Sequence, residues 1–214
     1  MMLKPYYETE LGKLYHGDCL EIMPELEPVD LVLTDPPYGI NYKHGGGNYR
    51  NAPTVISAVI GDDKPFDPSF LPRPMIVWGA NHYHHRLPEG GRWFIWDKRE
   101  GIIPPRDQAD CEIAWCSQGG VDRLFNHYWD GFNRKSERKI PRQHPTQKPV
   151  ALMAWCINQA SNPKSILDPF IGSGTTTIAC ERLKRRWIGI EISEEYCEIS
   201  ARRIERETSQ LKLW

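Results

Sequence analysis

Ser165–Glu191, SILDPFIGSGTTTIACERLKRRWIGIE, decides how this sequence is read. A short apolar run ends at Asp168, a glycine-containing turn follows, a helical stretch begins, and a second apolar run ends at Glu191. This is a β-turn-α-β unit. Gly172 and Gly174 let the backbone come close to a ligand where side chains would block it. Glu191 stands 17 residues beyond Gly174, at the end of the next strand. An acid there can accept both hydroxyl hydrogens of an adenosine ribose. The third glycine of the dinucleotide fingerprint is missing, its place taken by Thr177, which weakens a nicotinamide reading. Alone, the segment implies a nucleoside-containing cofactor.

Outward from this unit, short apolar runs alternate with helical stretches, the pattern of a mainly parallel sheet covered on both faces. Strands are predicted near Lys13–His16, Val29–Thr34, Met75–Gly79, Arg92–Asp97, Cys111–Cys116, Ser165–Asp168 and Trp187–Glu191. Helices are predicted near Asp18–Leu26, Asn81–Leu87, Gln147–Ala160, Ser173–Leu183 and Ser193–Glu207, the last opened by Ser193 as N-cap. Two long stretches, 39–65 and 130–145, do not read as regular structure; loops of that length usually carry function or are disordered. With no internal repeat and no linker, the 214 residues are expected to form a single domain, with a short inserted recognition segment at about 118–145.

Composition bounds the function. Hydrophobic residues make up 40% and charged residues 26%, ordinary for a globular protein. No apolar run approaches the roughly 20 residues that cross a bilayer, and the first residues carry no apolar signal core, so a cytoplasmic location and no membrane partner are expected. The six cysteines form no CxxC pair, which argues against a zinc or redox motif. The histidine cluster Asn81–His85 has few carboxylates nearby and is not read as a metal site. Net charge is only −1, but 123–148 carries Arg123, Arg134, Lys135, Arg138, Lys139, Arg142 and Lys148 against Asp130 and Glu137. A solvated loop explains such a run as well as a phosphate-contacting face does.

The second informative stretch is Val29–Tyr38, VDLVLTDPPY. Its apolar strand delivers Asp35, Pro36, Pro37 and Tyr38 to a C-terminal sheet edge, where open α/β sheets bind ligands. Asp35 can accept one amino hydrogen and the Pro36 carbonyl another, while Tyr38 can stack on an aromatic ring. That set suits a planar heterocycle bearing an NH2 group.

With both motifs in view, the chain resembles the amino-methyltransferases of DNA, specifically the group whose target-base motif precedes its cofactor motif. Asp35–Tyr38 matches the catalytic DPPY of that family. Asp168–Gly174, with Phe170, Gly172, Gly174 and the following Thr175, matches the cofactor loop, and Trp187–Glu191 the ribose-binding strand. Gly17 and Asp18 look like the position that contacts the cofactor's adenine. His144–Pro149, including Lys148, looks like the segment that holds the methionine end. The resemblance spans roughly Leu14 to Ile204. It implies a circularly permuted class I S-adenosylmethionine-dependent methyltransferase fold, Rossmann-like, with a mostly parallel seven-stranded sheet. In that fold the cofactor strand and the target-base strand are central neighbours. The implied reaction moves a methyl group to an exocyclic amino group of a flipped base. Asp35, Pro36, Pro37 and Tyr38 would be catalytic, and Arg123, Arg134, Lys135, Arg138, Lys139 and Arg142 would touch DNA.

Adenine N6 is favoured because the cytosine-N4 enzymes of the family more often place serine where Asp35 stands. An RNA adenine methyltransferase is an alternative, and a protein-glutamine methyltransferase a weaker one, since its tetrapeptide begins with asparagine. A DNA-binding module without activity would not need the cofactor loop. The partners implied are DNA, a second copy of the chain in a homodimer, and a cognate restriction endonuclease. The chemistry needs no metal.

Overall fold

The computed structural model describes residues 3–41, 60–101, 109–129, 134–137 and 147–211. Its strands are β1 (Tyr7–Glu8), β2 (Gly12–His16), β3 (Leu31–Thr34), β4 (Met75–Trp78), β5 (Arg92–Asp97), β6 (Cys111–Cys116), β7 (Arg123–Asn126), β8 (Ser165–Asp168) and β9 (Arg186–Glu191). All lie in one sheet of order β1-β2-β9-β8-β3-β4-β6-β5-β7. The run from β2 to β4 is parallel throughout, whereas β6 runs antiparallel to both β4 and β5. The expected mostly parallel, permuted arrangement is therefore present, with β8 and β3 as central neighbours. The sheet has nine strands among the described residues, not seven. The two additions are edge strands, β1 antiparallel to β2 and β7 parallel to β5. Both are short and lack a long apolar run, so periodicity does not reveal them. The start of the expected recognition insert is thus part of the sheet.

Alternation of side chains across the pleat builds two cores. Leu31, Leu33, Ile76, Trp78 and Ile166 face one side. There they meet α2 (Val150–Gln159), α3 (Thr175–Arg182) and α4 (Glu194–Leu211). Val32, Val77, Leu167 and Ile190 face the other, against Ile22 of α1 (Cys19–Ile22), Phe66, Leu71 and Tyr83. This second layer is thin. Asn81–Leu87 does not form the expected helix but two 3₁₀ turns, Ala80–His82 and His84–Arg86. The fully buried Tyr83 interrupts them, at φ −133°, its hydroxyl donating to the Trp78 carbonyl. The predicted Gln147 start of α2 is also corrected: the helix begins after Pro149, whose ring disfavours helical geometry at Lys148. Among the described residues no helix is long and apolar enough to cross a membrane.

Candidate active site

Four parallel strands end side by side, and each carries one chemical group past its C-terminal edge. Asp18 follows β2, Glu191 closes β9, Asp168 closes β8 and Asp35 follows β3. Residues far apart in sequence become neighbours: the Thr34 hydroxyl donates to Asp168 Oδ1 at 2.6 Å across 134 positions.

On the β8–β9 side, the turn after Asp168 is folded around Glu191. Glu191 Oε2 accepts the Gly172 N–H and Oε1 the Ser193 N–H, both at 2.9 Å. Burial raises the Glu191 carboxyl above its ordinary range, opposed by these N–H groups. Gly172 has φ +52°, and a Cβ built there meets nothing within 4 Å, so the turn borders open space. Asp18 caps α1 by accepting the Leu20 N–H at 2.8 Å, and Gly17 N–H donates to the Glu191 carbonyl. The two positions expected at adenine and ribose therefore adjoin. Phe170 lies against Phe66 and Phe70, and Thr175 opens α3 in a buried position.

Two residues that sequence reasoning missed hold this turn from behind. Ser200 Oγ donates to the Gly172 carbonyl at 2.8 Å, and Arg203 donates to both the Ser173 carbonyl and its hydroxyl. Their spacing on α4 puts both on one helical face. Polar residues on the inner side of an otherwise amphipathic helix were the signal available.

Asp168 is 3% exposed, and burial lifts its carboxyl from 3.8 to about 6. The folded chain holds this proton more tightly than the unfolded chain, so a cost develops as pH rises from about 4 to 6 and is complete above 6. At 1.36 kcal/mol per unit this amounts to roughly 3 kcal/mol. Asp168→Asn, which keeps an acceptor for Thr34 and Phe170, is expected to melt higher than the parent protein above pH 6. The gap should close near pH 4, as scanning calorimetry across that range would show.

On the β3 side, Tyr38 Oη donates to Asp35 Oδ1 at 2.5 Å. The Tyr38 ring is packed so closely on Gly79 that a Cβ there would fall 2.0 Å from it; glycine, at φ +71°, is required. His82 stacks on Tyr38 with ring centroids 5.1 Å apart. The histidine cluster thus meets the stacking tyrosine. Lys148, expected at the cofactor's methionine end, places its ammonium 2.5 Å from Asp35 Oδ2, 3.1 Å from Tyr38 Oη and 3.0 Å from Glu112 Oε2. Its side chain is 3% exposed. Burial raises Asp35 against the pull of Lys148. Burial would also raise Glu112, but Lys148 and Lys98 together hold it at about 2. For Lys148 burial works the other way, and the two carboxylates overcome it and keep the ammonium charged. Glu112, which the sequence reading missed, is a lone charge in the apolar strand Cys111–Cys116.

The basic residues separate. Arg123 is exposed on the edge strand, and Lys135 is 54% exposed and paired with Glu100. Arg134 is buried and lies over the Trp129 ring. Arg138, Lys139, Arg142 and His144–Thr146 lie outside the described residues. Glu137 accepts the first N–H of α2 at 2.9 Å, which ties the 134–137 stretch to the helix that follows Lys148.

Comparison with known proteins agrees with this geometry. A family model described as DNA methylase matches residues 97–202. Over that stretch the chain is similar to the DNA methylase family. It is 28% identical to type II methyltransferase M2.DpnII of Streptococcus pneumoniae over 262 aligned positions, covering 97% of this chain and 94% of that protein. It is 26% identical to type II methyltransferase M2.LlaDCHI of Lactococcus lactis subsp. cremoris, covering 96% and 94%. Both alignments are longer than the 214-residue chain, so the relatives carry segments that this chain lacks. Among solved structures, the M1.HpyAVI–SAM complex is 26% identical with a TM-score of 0.51, covering 90% of this chain and 100% of that one. The cytosine-N4-specific PvuII DNA methyltransferase is 20% identical with a TM-score of 0.62, covering 97% and 94%, a likeness of fold.

Proposed function

We propose that this protein transfers a methyl group from S-adenosylmethionine to the N6 amino group of an adenine flipped out of DNA. The observation that carries the reading is the convergence of Asp35–Tyr38 with the Asp168–Gly174 turn at adjoining strand ends. The residues on the cofactor side fit that molecule. Asp18 would meet its adenine and Glu191 its ribose, and the turn at Gly172 leaves room for a ligand. When bound, S-adenosylmethionine supplies an electrophilic methyl group on a sulfonium.

The chain's own residues then act by positioning and electrostatics. The adenine amino nitrogen is a poor nucleophile because its lone pair is delocalised into the ring. Hydrogen bonds from that amino group to Asp35 and to the Pro36 carbonyl favour a pyramidal nitrogen with an available lone pair. Pro37 fixes the backbone that aims these acceptors. Tyr38 stacks on the extruded base. The carboxylate of Asp35, made more basic by burial, is placed to take the proton that the methylated nitrogen sheds.

Incubation with unmethylated DNA and labelled cofactor, followed by nucleoside mass spectrometry, tests the reading. N6-methyl-2′-deoxyadenosine is the expected product. Methylated deoxycytidine would overturn the choice of base, and no DNA product beside label transferred to RNA or protein in parallel incubations the choice of substrate.

Support from α4 yields a further expectation. Arg203→Met should weaken S-adenosylmethionine binding about tenfold, the worth of one charge-assisted hydrogen bond, while leaving kcat at saturating cofactor unchanged. Calorimetric binding against steady-state rates separates the two.

For DNA, we place the phosphate contacts on Arg123 and Lys135, joined by Arg138, Lys139 and Arg142. Arg134 braces Trp129. Replacing Arg123 and Lys135 by alanine should flatten the dependence of log affinity on log salt by about 0.9 for each phosphate no longer neutralised. An unchanged slope would remove them from the interface. We extend the reading to a homodimer and to a cognate restriction endonuclease whose sites the methylation protects; the designation of the relatives as type II methyltransferases supports the second.

A further inference from the structure

Both oxygens of Asp35 are taken by side chains of the protein itself. Oδ1 accepts from Tyr38 and Oδ2 from Lys148, each at 2.5 Å. A target amino group that needs Asp35 must displace one of them. Glu112 offers the displaced ammonium another anchor. It stands on β6, outside both sequence motifs, with Oε1 held by Lys98 at 2.9 Å. Its Oε2 is buried and lies 3.0 Å from the Lys148 ammonium, yet it receives no aligned hydrogen bond among the described residues. A buried carboxylate oxygen without an aligned donor is costly, and here it faces the one cation that would have to move.

We propose that Glu112 is the receiving site for Lys148: as the flipped base enters, the ammonium turns from Asp35 Oδ2 onto Glu112 Oε2 and leaves Asp35 free to accept the target amino hydrogen. No proton changes owner, because Lys148 keeps all three and only hydrogen bonds are exchanged. The buried charges also stay balanced, one cation passing between two anions that both remain within reach. A compact ammonium on a flexible stem, with three rotatable donors, suits such an exchange better than the rigid fork of an arginine would. Release of Lys148 also leaves Asp35 more basic when it must take up the proton shed by the methylated nitrogen. Glu112 acts through Lys148 and is therefore a positioning residue. The inference rests on the proposed methylation of a flipped base.

The test uses Glu112→Gln, which keeps the shape and removes the charge. With the methylated position mapped on the parent enzyme, 2-aminopurine is placed there and its fluorescence reports flipping. The variant should lose the flipping signal and show a KM for DNA raised about tenfold, the scale of one charge-assisted hydrogen bond. S-adenosylmethionine affinity should match the parent, and the variant, although it melts lower because Lys98 and Lys148 lose a buried counter-ion, should stay folded at the assay temperature. Adding Lys148→Met to the variant, so that no ammonium needs displacing, should restore flipping.

In the free protein, 13C titration of the Asp35 carboxyl should move to lower pH in Glu112→Gln, since Lys148 is then held by Asp35 alone. The groups facing this carboxyl are Lys148, Glu112, Tyr38, Tyr83 and Asp168. Flipping and KM equal to the parent, an unmoved Asp35 titration, or an equal loss of cofactor and DNA binding each overturns the hand-over. If the parent enzyme itself neither flips nor methylates DNA, the functional reading fails and the hand-over falls with it. That result is distinct from a parent that flips beside a variant that flips equally well.

Discussion

Asp35→Ala is expected to lower the methylation rate about a thousandfold while S-adenosylmethionine affinity stays within about twofold, on the scale set by removing one preorganised polar contact to a reacting group. The separation is expected because Asp35 belongs to the β3 side of the site, whereas the cofactor loop is held by Glu191, Ser200 and Arg203. The variant should also remain folded. Its buried Lys148 retains Glu112 at 3.0 Å as a counter-ion. Single-turnover rates at saturating cofactor, with binding measured by calorimetry, check both halves. Loss of cofactor binding together with a lowered melting temperature would mean that Asp35 acts chiefly as a structural partner of Lys148.

Lys148→Met is expected to cost about 3 kcal/mol of stability near pH 8, since breaking a buried ion pair by removing one partner leaves a charge uncompensated. Lys98 still neutralises Glu112, so the penalty falls mainly on Asp35. The direction with pH follows from that carboxyl. Burial already sets its folded pKa above the ordinary 3.8, with Lys148 opposing the rise; removing Lys148 raises it further. The folded variant then binds the Asp35 proton more tightly than its unfolded chain. The penalty is full above the raised folded value and fades as pH falls toward 3.8. Denaturant unfolding at pH 8 and pH 5 should show the variant recovering toward the parent at the lower pH. A deficit equal at both would assign the loss to packing.

The parts of this architecture that were legible share one cause. β3, β8 and β9 are buried on both faces, so their residues form near-continuous apolar runs, and each ends at a polar group that chemistry needs. Asp35, Asp168 and Glu191 could be placed at strand ends from that pattern alone. β1 and β7 were not legible because an edge strand half open to water needs no apolar run; Leu124 of β7 is 58% exposed. The helix expected at Asn81–Leu87 failed because the demand to bury Tyr83 outweighs local helical preference, which is weak in a His-rich stretch. Lys148 was found through the family segment that contains it, but its partners were not, because Asp35 and Glu112 reach it from distant strands. Only the folded sheet brings those three side chains together, so no spacing along the chain could announce the cluster.

The pairing of β3 with β8, across more than 130 positions, also governs how the protein comes into being. A growing chain releases β2 and β3 early but must wait for β8 and β9 before either gains its inner neighbour. Contacts of such sequence separation close large loops, so folding is slow relative to chains built from local contacts. Until then the apolar strand Leu31–Thr34 has an open edge that invites misassociation. The base-side and cofactor-side halves of the site therefore meet only once Glu191 has been made. A chain that stops short of Ser165 can display Asp35–Tyr38 but cannot assemble the pocket, so the site forms in a single step that follows synthesis of β8 and β9.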